Sequence, residues 1–185
     1  TKISAKAYYQ VYLAAMSNDP GRLDDIYRFL RIGFAVGGKV TECLREESVM
    51  QIFELSRQVS NERHFFREFL RFTRIDPGIY VAHMEPKGNV VALVAEHFAD
   101  RMPSEDWMII DDKRFIAVVH PADQDYYLTI LSKEEMDRLS IQTDDPFIDL
   151  WKDFFNTIGI KERENHQCQR NLMPLWYRKH MTEFQ

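Results

Sequence analysis

The first part of the chain shows the spacing of apolar residues that is typical of helices. Residues 3–16, 22–36 and 46–74 carry apolar side chains three and four positions apart, and the stretches SNDPGR and GFAVGGKV separate these segments. A period of 3.6 residues places such side chains on one face of a helix, whereas Gly, Pro, Asn and Asp interrupt it. We therefore predict three helices in the N-terminal half.

The pattern changes from Gly78 onward. Four short runs rich in β-branched and aromatic residues follow, GIYVAHM, WMIID, RFIAVV and YYLTIL, and such runs are typical of strands. The last three are expected to form a meander, with Asp112 and Lys113 in the first hairpin and PADQ in the second. We predict a mainly antiparallel sheet over residues 78–131.

A helical pattern lies between the first two predicted strands, in NVVALVAEHFADRM. Asn89 is placed to cap this helix, which should end before Pro103, so we expect residues 89–101 to pack on the sheet. After the sheet, Asp145 and Pro146 suit the N-cap and first position of a helix with the sequence FIDLWKDFFNTI. Pro174 is placed to start a last helix.

These elements predict the α+β class. The expected fold has a helical N-terminal half, a small, mainly antiparallel four-stranded sheet with a packed helix, and C-terminal helices. We predict a single domain over residues 1–185, with a helical part at 1–74, a sheet part at 75–132 and a C-terminal helical part at 133–185.

Composition supports a globular protein. The chain has 185 residues, of which 45% are apolar, so it can bury the core of one domain. No apolar run approaches the roughly 18 residues of a membrane span, and the first residues lack the pattern of a secretory signal. We therefore expect a cytoplasmic protein with no membrane partner.

Known catalytic motifs are missing from the sequence. It contains no GxGxxG, GxxxxGK[ST], GxSxG or HExxH, so we predict no cofactor. Cys43 and Cys168 lie far apart and are interpreted as thiols. The spacing of His166, Cys168 and His180 matches no zinc signature, which indicates a polar loop and a surface histidine. We predict no metal site.

The segment RHFFREFLRFTR places four arginines on one side of a predicted helix, opposite three phenylalanines. The whole chain has a net charge of −5, yet residues 57–74 contain five arginines and only two glutamates. Like charges at this spacing repel each other, so the stripe is either a phosphate contact or a solvated face. The four arginines are Arg63, Arg67, Arg71 and Arg74.

The segment EHFADR offers a second candidate site. His97 and Arg101 are four residues apart on the predicted helix, where they could both contact a phosphate. Alternatively, His97 could move a proton while Glu96 or Asp111 orients it. The simpler interpretation is a solvated helix with internal ion pairs.

The C-terminal segment KERENHQCQRNLMPLWYRKHMTEF mixes cations, amides and aromatic residues. Cations suit phosphates, amides suit base edges and aromatic rings suit stacked bases. The same composition also fits a helix that packs Trp176 and Tyr177 inward and leaves its charges in water. Both interpretations stay open at this stage.

Several segments together resemble a family of proteins associated with DNA metabolism and DNA repair, whose core is a domain of unknown function. The similar segments are FLRF, GIYVAHMEPKGNV, EHFADR, WMIID and the C-terminal stretch from ERENHQCQR to MTE, which span residues 62–183. Members of that family are encoded beside a radical-SAM protein of DNA modification or repair, and some precede a uracil-DNA glycosylase-like domain. The resemblance implies DNA and a radical-SAM protein as partners.

The residues of this chain that match the family pattern are Arg71, Phe72, Glu85, Pro86, His97, Phe98, Arg101, Asp111, Arg163, Asn165, Gln169, Met173, Pro174, Tyr177 and Glu183. This chain departs from the pattern at His166, where the family tends to have proline. It also departs at Leu175 and Trp176, where basic residues are usual. Relatives tend to begin further upstream, so we expect an additional N-terminal segment before Thr1.

Three functions follow as hypotheses. The first is a DNA-binding accessory or substrate-recognition factor in DNA repair, acting with the radical-SAM partner. Its candidate nucleic-acid-binding residues are Arg63, Arg67, Arg71, Arg74, Arg101, Arg163, Asn165, Gln169 and Arg170. The second is an enzyme acting on DNA or a damaged base, with His97 as general acid or base, Asp111 or Glu85 orienting it, and Arg101 holding phosphate. The third is a protein adaptor whose arginines meet an acidic partner.

Overall fold

The computed structural model of the chain describes residues 2–76, 78–139, 150, 157 and 166–184. The chain divides into two compact units. The first comprises Thr1–His64 and Pro86–Val90, and the second comprises Phe65–Glu85 and Val91–Gln185. In the parts of the chain just named as described, no helix combines the length and the apolar character that crossing a bilayer requires.

The first unit is helical. Helix α1 covers Ala5–Ala15, α2 covers Arg22–Val36, a 3-10 helix covers Gly37–Glu42, and α3 covers Glu47–Phe69, with its last residues in the second unit. The first two predicted helices are thus confirmed. Ser4 caps α1, since its Oγ accepts a hydrogen bond from the N–H of Ala7 at 3.1 Å. The core of this unit contains Ala7, Ala14, Phe29, Val40, Val49, Ile52 and Leu55.

A short loop is held firmly against the helices of the first unit. The buried carboxylate of Glu62 accepts hydrogen bonds from the N–H groups of Lys87, at 2.6 Å, and Gly88, at 2.8 Å. The N–H of Asn89 donates to the carbonyl of Met16 at 2.7 Å. A Cβ at Gly88 would lie 2.8 Å from that same carbonyl oxygen, so only glycine fits here.

The second unit is built on a mixed sheet. In the described part of the chain, five strands lie side by side in sequence order, with β2 and β3 parallel and all other neighbours antiparallel. The four predicted strands are confirmed, and one strand was missed by the pattern. The strands are β1 at Thr73–Asp76, β2 at Ile79–Met84, β3 at Asp106–Asp111, β4 at Ile116–His120 and β5 at Tyr127–Ile130.

The prediction of a helix over residues 46–74 is wrong at its C-terminal end. Helix α3 ends at Phe69, and the chain then turns into β1, whose Thr73 pairs with Val81 of β2. Pairing with the sheet edge satisfies backbone groups that a longer helix would have satisfied internally. Consequently Arg71 follows the helix and Arg74 lies on a strand, so the four arginines do not share one helix face.

The parallel pair β2 and β3 is connected by helix α4, at Val91–Arg101, which packs on β3 and β4. The predicted helix on a mainly antiparallel sheet is therefore confirmed, although the parallel pair was not foreseen. In this pair Met84 lies opposite Asp111, and the N–H of Asp112 donates to the carbonyl of Met84 at 3.0 Å. The residues that follow the two strands, Glu85 and Asp112, therefore meet at one edge of the sheet.

Strands β3, β4 and β5 form the predicted meander. Both hairpins lack glycine, and a non-glycine residue adopts the left-handed conformation near each turn: Phe115 has φ of 56° and Asp123 has φ of 57°. Behind the sheet, Met136 of helix α5, at Lys133–Leu139, packs with Val81, Ile110, Ala117 and Leu131.

The C-terminal part of the second unit contains helix α6, at His166–Leu172, and 3-10 helices at Leu175–His180 and Thr182–Phe184. Pro174 directly precedes the 3-10 helix Leu175–His180, at the predicted start of a helix. The predicted helix FIDLWKDFFNTI lies outside the described residues apart from Leu150 and Thr157, which are helical. Met181 is fully buried and anchors this segment in the second unit.

Candidate functional site

Arg67 and His97 form the center of an exposed basic cluster in the second unit. Arg67 lies near the end of α3 and is exposed, and its Nη2 is 2.9 Å from Nδ1 of His97 on α4. Arginine can only donate, so Nδ1 accepts this bond and the ring proton of neutral His97 lies on Nε2. The contact therefore fixes one tautomer of the imidazole.

Arg101 completes this basic cluster, which we define as Arg67, His97 and Arg101. It is the last residue of α4 and is exposed, one turn beyond His97. Burial lowers the pKa of His97 below its ordinary value, and the positive charges of Arg67 and Arg101 lower the pKa further, against a smaller opposite effect of Asp100. The cluster consequently favors the neutral form of His97.

Arg71 does not belong to this cluster, because it forms an ion pair with Glu183. Its Nη2 donates to Oε1 of Glu183 at 2.7 Å and its Nε donates to Oε2 at 3.4 Å, while Nη1 donates to the carbonyls of Glu68 and Leu70. Only 2% of the Glu183 side chain is exposed. Arg71 therefore holds the C-terminal segment in place.

The other predicted arginines differ in their surroundings. Arg63, in the first unit, is half-buried and donates from Nη1 to the hydroxyl of Tyr9 at 3.2 Å. Arg74 is exposed on β1 of the second unit, and Arg170 is exposed on α6. Gln169 is on α6, but its side chain is not among those described.

Two predicted contacts lie outside the described part of the chain. Arg163 and Asn165 are not among the described residues. Their proposed contact with nucleic acid therefore stays a prediction. Of the two rings that could pack inward, Tyr177 does so, since its ring lies 4.9 Å from that of Phe66 and also contacts Phe65 and Phe69. Trp176, by contrast, is half-exposed.

Asp111, a predicted orienting residue for His97, is fully buried in the hairpin between β3 and β4. Its Oδ1 accepts from the N–H groups of Lys113 and Arg114 at 3.1 Å, and its Oδ2 accepts from Nη1 of Arg114 at 2.8 Å. Burial raises the pKa of this carboxyl, and Arg114 partly opposes that rise. Asp111 thus stabilizes the turn between β3 and β4, and its observed hydrogen bonds go to Lys113 and Arg114.

Glu85, another predicted orienting residue, belongs to a different group at the carboxyl ends of β2 and β3. Glu85, Asp112 and His180 are half-buried, and their ligand atoms all lie within 4.8 Å of one another. Lys179 forms an ion pair with Glu85, and Nδ1 of His83 lies 2.8 Å from Oδ1 of Asp112. We call these five residues the strand-end cluster.

His180 reaches the strand-end cluster from the last turn of its 3-10 helix. Burial lowers the pKa of this histidine below its ordinary value, while the carboxylates of Asp112 and Glu85 raise it. The carbonyl of Glu85 also accepts a bond from Nε1 of Trp176 at 3.0 Å. The C-terminal segment therefore contributes directly to this end of the sheet.

The sequence interpretation missed the strand-end cluster. It selected Glu85 through the family resemblance, but it assigned His180 to the surface and Asp112 only to a hairpin turn. The missing signal was the parallel pairing of β2 and β3, since acidic residues directly after two parallel strands meet at one edge. Recognizing NVVALVAEHFADRM as a crossover helix would have indicated that arrangement.

Comparison with known proteins places the chain in a family. The family model DUF4130, which describes a domain of unknown function, matches residues 20–183. The chain belongs to this family. No curated protein and no solved structure shows significant similarity to it.

Proposed function

We propose that this protein binds DNA through the basic cluster and acts as an accessory or substrate-recognition factor in DNA repair. The observation that carries the proposal is the distance of 2.9 Å between Arg67 Nη2 and His97 Nδ1, with Arg101 exposed one turn further along α4. Three basic groups converge there in a chain with a net charge of −5. An anionic ligand is the natural counterpart of such a surface.

A DNA phosphate would relieve the mutual repulsion within the cluster. Arg67 and Arg101 offer charged donors on exposed side chains, and Arg–phosphate hydrogen bonds are among the stronger ones in proteins. A phosphate near His97 would also favor the charged imidazolium, which the two arginines disfavor in the free protein. All three groups would then contribute to binding.

Three of the other candidate arginines also belong to the second unit. Arg74 and Arg170 are exposed in the second unit and are proposed as further phosphate contacts. Arg71 is left out of it, because its guanidinium already binds the buried carboxylate of Glu183. Its match to the family pattern is explained by this structural pair.

The proposed test is fluorescence anisotropy with labeled single-stranded and double-stranded oligonucleotides. The double variant R67E/R101E should lose at least tenfold in affinity for both, because two attractive phosphate contacts become repulsive. R57E is the control, since Arg57 is also exposed but pairs with Glu54 in the first unit. Equal binding by wild type and R67E/R101E would refute the proposed surface.

The radical-SAM partner is a separate part of the proposal and rests on the resemblance to the DNA repair family. A pull-down of the tagged chain from its native organism, with and without nuclease, distinguishes a direct partner from one that is bridged by DNA. A radical-SAM protein that remains after nuclease treatment would support direct contact. Its loss after treatment would restrict the proposal to DNA binding alone.

A second candidate function is favored by the lowered pKa of His97. If Arg67 turns from Nδ1 of His97 to a substrate phosphate, the lone pair on Nδ1 of this neutral imidazole can act as a general base at neutral pH, which suits an enzyme acting on DNA or a damaged base. In that case His97→Gln should abolish turnover of a damaged oligonucleotide while the chain still binds it. Absence of turnover with a panel of damaged bases would leave the binding function alone.

A further inference from the structure

We infer that Glu85, Asp112 and His180 form a binding site for a divalent first-row transition metal. Their ligand atoms lie within 4.8 Å of one another. Ligands about 2.1 Å from a shared ion are at most about 4.2 Å apart, so small rotations of the side chains are enough to close the site. This site is separate from the proposed DNA surface.

The three ligands are brought together by the positions of their backbone, and not only by the rotamers of their side chains. Glu85 and Asp112 directly follow β2 and β3, which are parallel and in register, so the two carboxylates start from adjacent backbone positions. His180 closes the group from a 3-10 helix whose neighboring residue Met181 is fully buried. Ligands on anchored elements are held close to their working geometry.

An independent observation comes from the imidazole of His180. Its Nε2 is buried, and among the described residues it has no hydrogen-bond partner. Buried polar atoms nearly always have a hydrogen-bond partner, because a buried donor or acceptor without one raises the free energy of the folded state. A metal ion bound at this histidine, with the two carboxylates, would supply the missing interaction.

The charges around the site are compatible with the reversible binding of a cation. Lys179 forms an ion pair with Glu85 and so occupies part of the site with a positive charge, on a side chain that is 61% exposed. A divalent ion can displace it, since the flexible lysine can move into water. His83, bonded to Oδ1 of Asp112 at 2.8 Å, holds that carboxylate in place.

The ligand chemistry selects the class of ion. Two carboxylate oxygens and one imidazole nitrogen suit Zn²⁺, Fe²⁺ or Mn²⁺, whereas Mg²⁺ and Ca²⁺ prefer sites made of oxygen alone. Three protein ligands also leave at least one position for water or substrate, as in catalytic rather than structural zinc sites. We therefore expect a solvent-accessible metal ion that has at least one bound water molecule and that can dissociate and bind again.

The test is isothermal titration calorimetry of the full chain with Zn²⁺ and with Mn²⁺, using Mg²⁺ for comparison. We expect one Zn²⁺ per chain, and at least a tenfold loss of affinity in D112N and in H180Q. Lys179→Met should bind several-fold more tightly, because it removes the competing positive charge. D100N is the matched control, since Asp100 is an exposed carboxylate of the same unit outside the cluster.

Misfolding cannot imitate the expected gain of affinity in K179M, and circular dichroism of each metal-free variant verifies its fold. Pulsed electron paramagnetic resonance of the Mn²⁺ form should show nitrogen coupling that disappears in H180Q. The inference is overturned if wild type and H180Q bind Zn²⁺ equally, or if K179M binds no more tightly than wild type.

Discussion

Arg71 and Glu183 are 112 positions apart in the sequence but are joined by two hydrogen bonds in the structure. A guanidinium matches a carboxylate in this bidentate arrangement better than any other side chain does. With only 2% of the Glu183 side chain exposed, water cannot replace the arginine. Removing Arg71 would therefore leave a buried and unpaired charge.

We predict that Arg71→Met lowers the free energy of unfolding by about 3 kcal/mol, as is typical when one partner of a buried ion pair is removed. Arg67→Met, at an exposed position, should change it by less than about 0.5 kcal/mol. The double variant R71M/E183M should recover part of the loss, since no lone charge remains. Urea unfolding measures all three, and equal effects of R71M and R67M would contradict the assignment.

His97 allows a prediction about pH. Its pKa in the free protein lies below the ordinary value of about 6.5, and a bound phosphate should raise that pKa. The complex then takes up a proton, so DNA affinity should increase as the pH falls from 7.5 to 5.5. In His97→Asn, which keeps an acceptor for Arg67, this pH dependence should vanish.

Two measurements test the His97 prediction. Anisotropy at several pH values gives the affinities, and an NMR titration of the imidazole gives its pKa with and without an oligonucleotide. If the pKa is the same in both states while DNA is bound, His97 does not contact phosphate. The proposal would then rest on Arg67 and Arg101 alone.

At the residue scale, the sequence identified the chemistry of individual side chains better than their partners. The EHFADR pattern correctly indicated His97 and Arg101 as neighbors on one helix, because helical spacing is local information. The contact between Arg71 and Glu183 could not be predicted from the sequence, because the two residues are 112 positions apart and meet only through the tertiary fold. The arginine stripe was consequently interpreted as one surface.

Among the elements, the hairpins are notable because their turns lack glycine. Phe115 has φ of 56°, a conformation that costs an L-residue about 1 kcal/mol or more relative to glycine. We predict that F115G is more stable than F115A by about 1 kcal/mol. Both variants lose the same side chain, so the difference in thermal unfolding isolates the backbone conformation. A more stable F115A would contradict the left-handed assignment.

The loop at residues 86–90 offers a second prediction for an element. Glu62 accepts two backbone N–H bonds from this loop at 2.6 and 2.8 Å and is buried. Glu62→Gln should lower the free energy of unfolding by about 2 kcal/mol, because an amide N–H₂ then faces a backbone N–H. E54Q on the same helix is the control, since Glu54 is exposed. Chemical denaturation distinguishes the two.

The predicted elements were most reliable where one period was sustained. Helices α1 and α2 and four strands were recognized because their apolar patterns continue over several turns or alternations. The end of α3 was misplaced because FLRF continues the helical spacing while β1 covers only Thr73–Asp76. A strand of that length is formed by pairing with β2, which is tertiary information.

For the whole molecule, the balance of charges determines how DNA binding should respond to salt. The net charge is −5, so attraction must come from the local basic cluster. If Arg67 and Arg101 neutralize two phosphates of duplex DNA, the logarithm of affinity should fall with that of salt concentration at a slope of about −1.8 from these residues. R67E/R101E should lose this part of the slope, whereas R57E should keep it.

The return of the C-terminal segment to α3 also affects how the protein reaches its native state. Tyr177 covers the aromatic rings of Phe65, Phe66 and Phe69, and Glu183 is separated from Arg71 by 112 positions. Closing so long a loop costs conformational entropy before any contact compensates for it. These contacts should therefore form late, after the local sheet and helices. Until then the aromatic face of α3 is exposed to solvent. An incompletely synthesized or slowly folding chain therefore exposes an aggregation-prone apolar surface that a chaperone could bind.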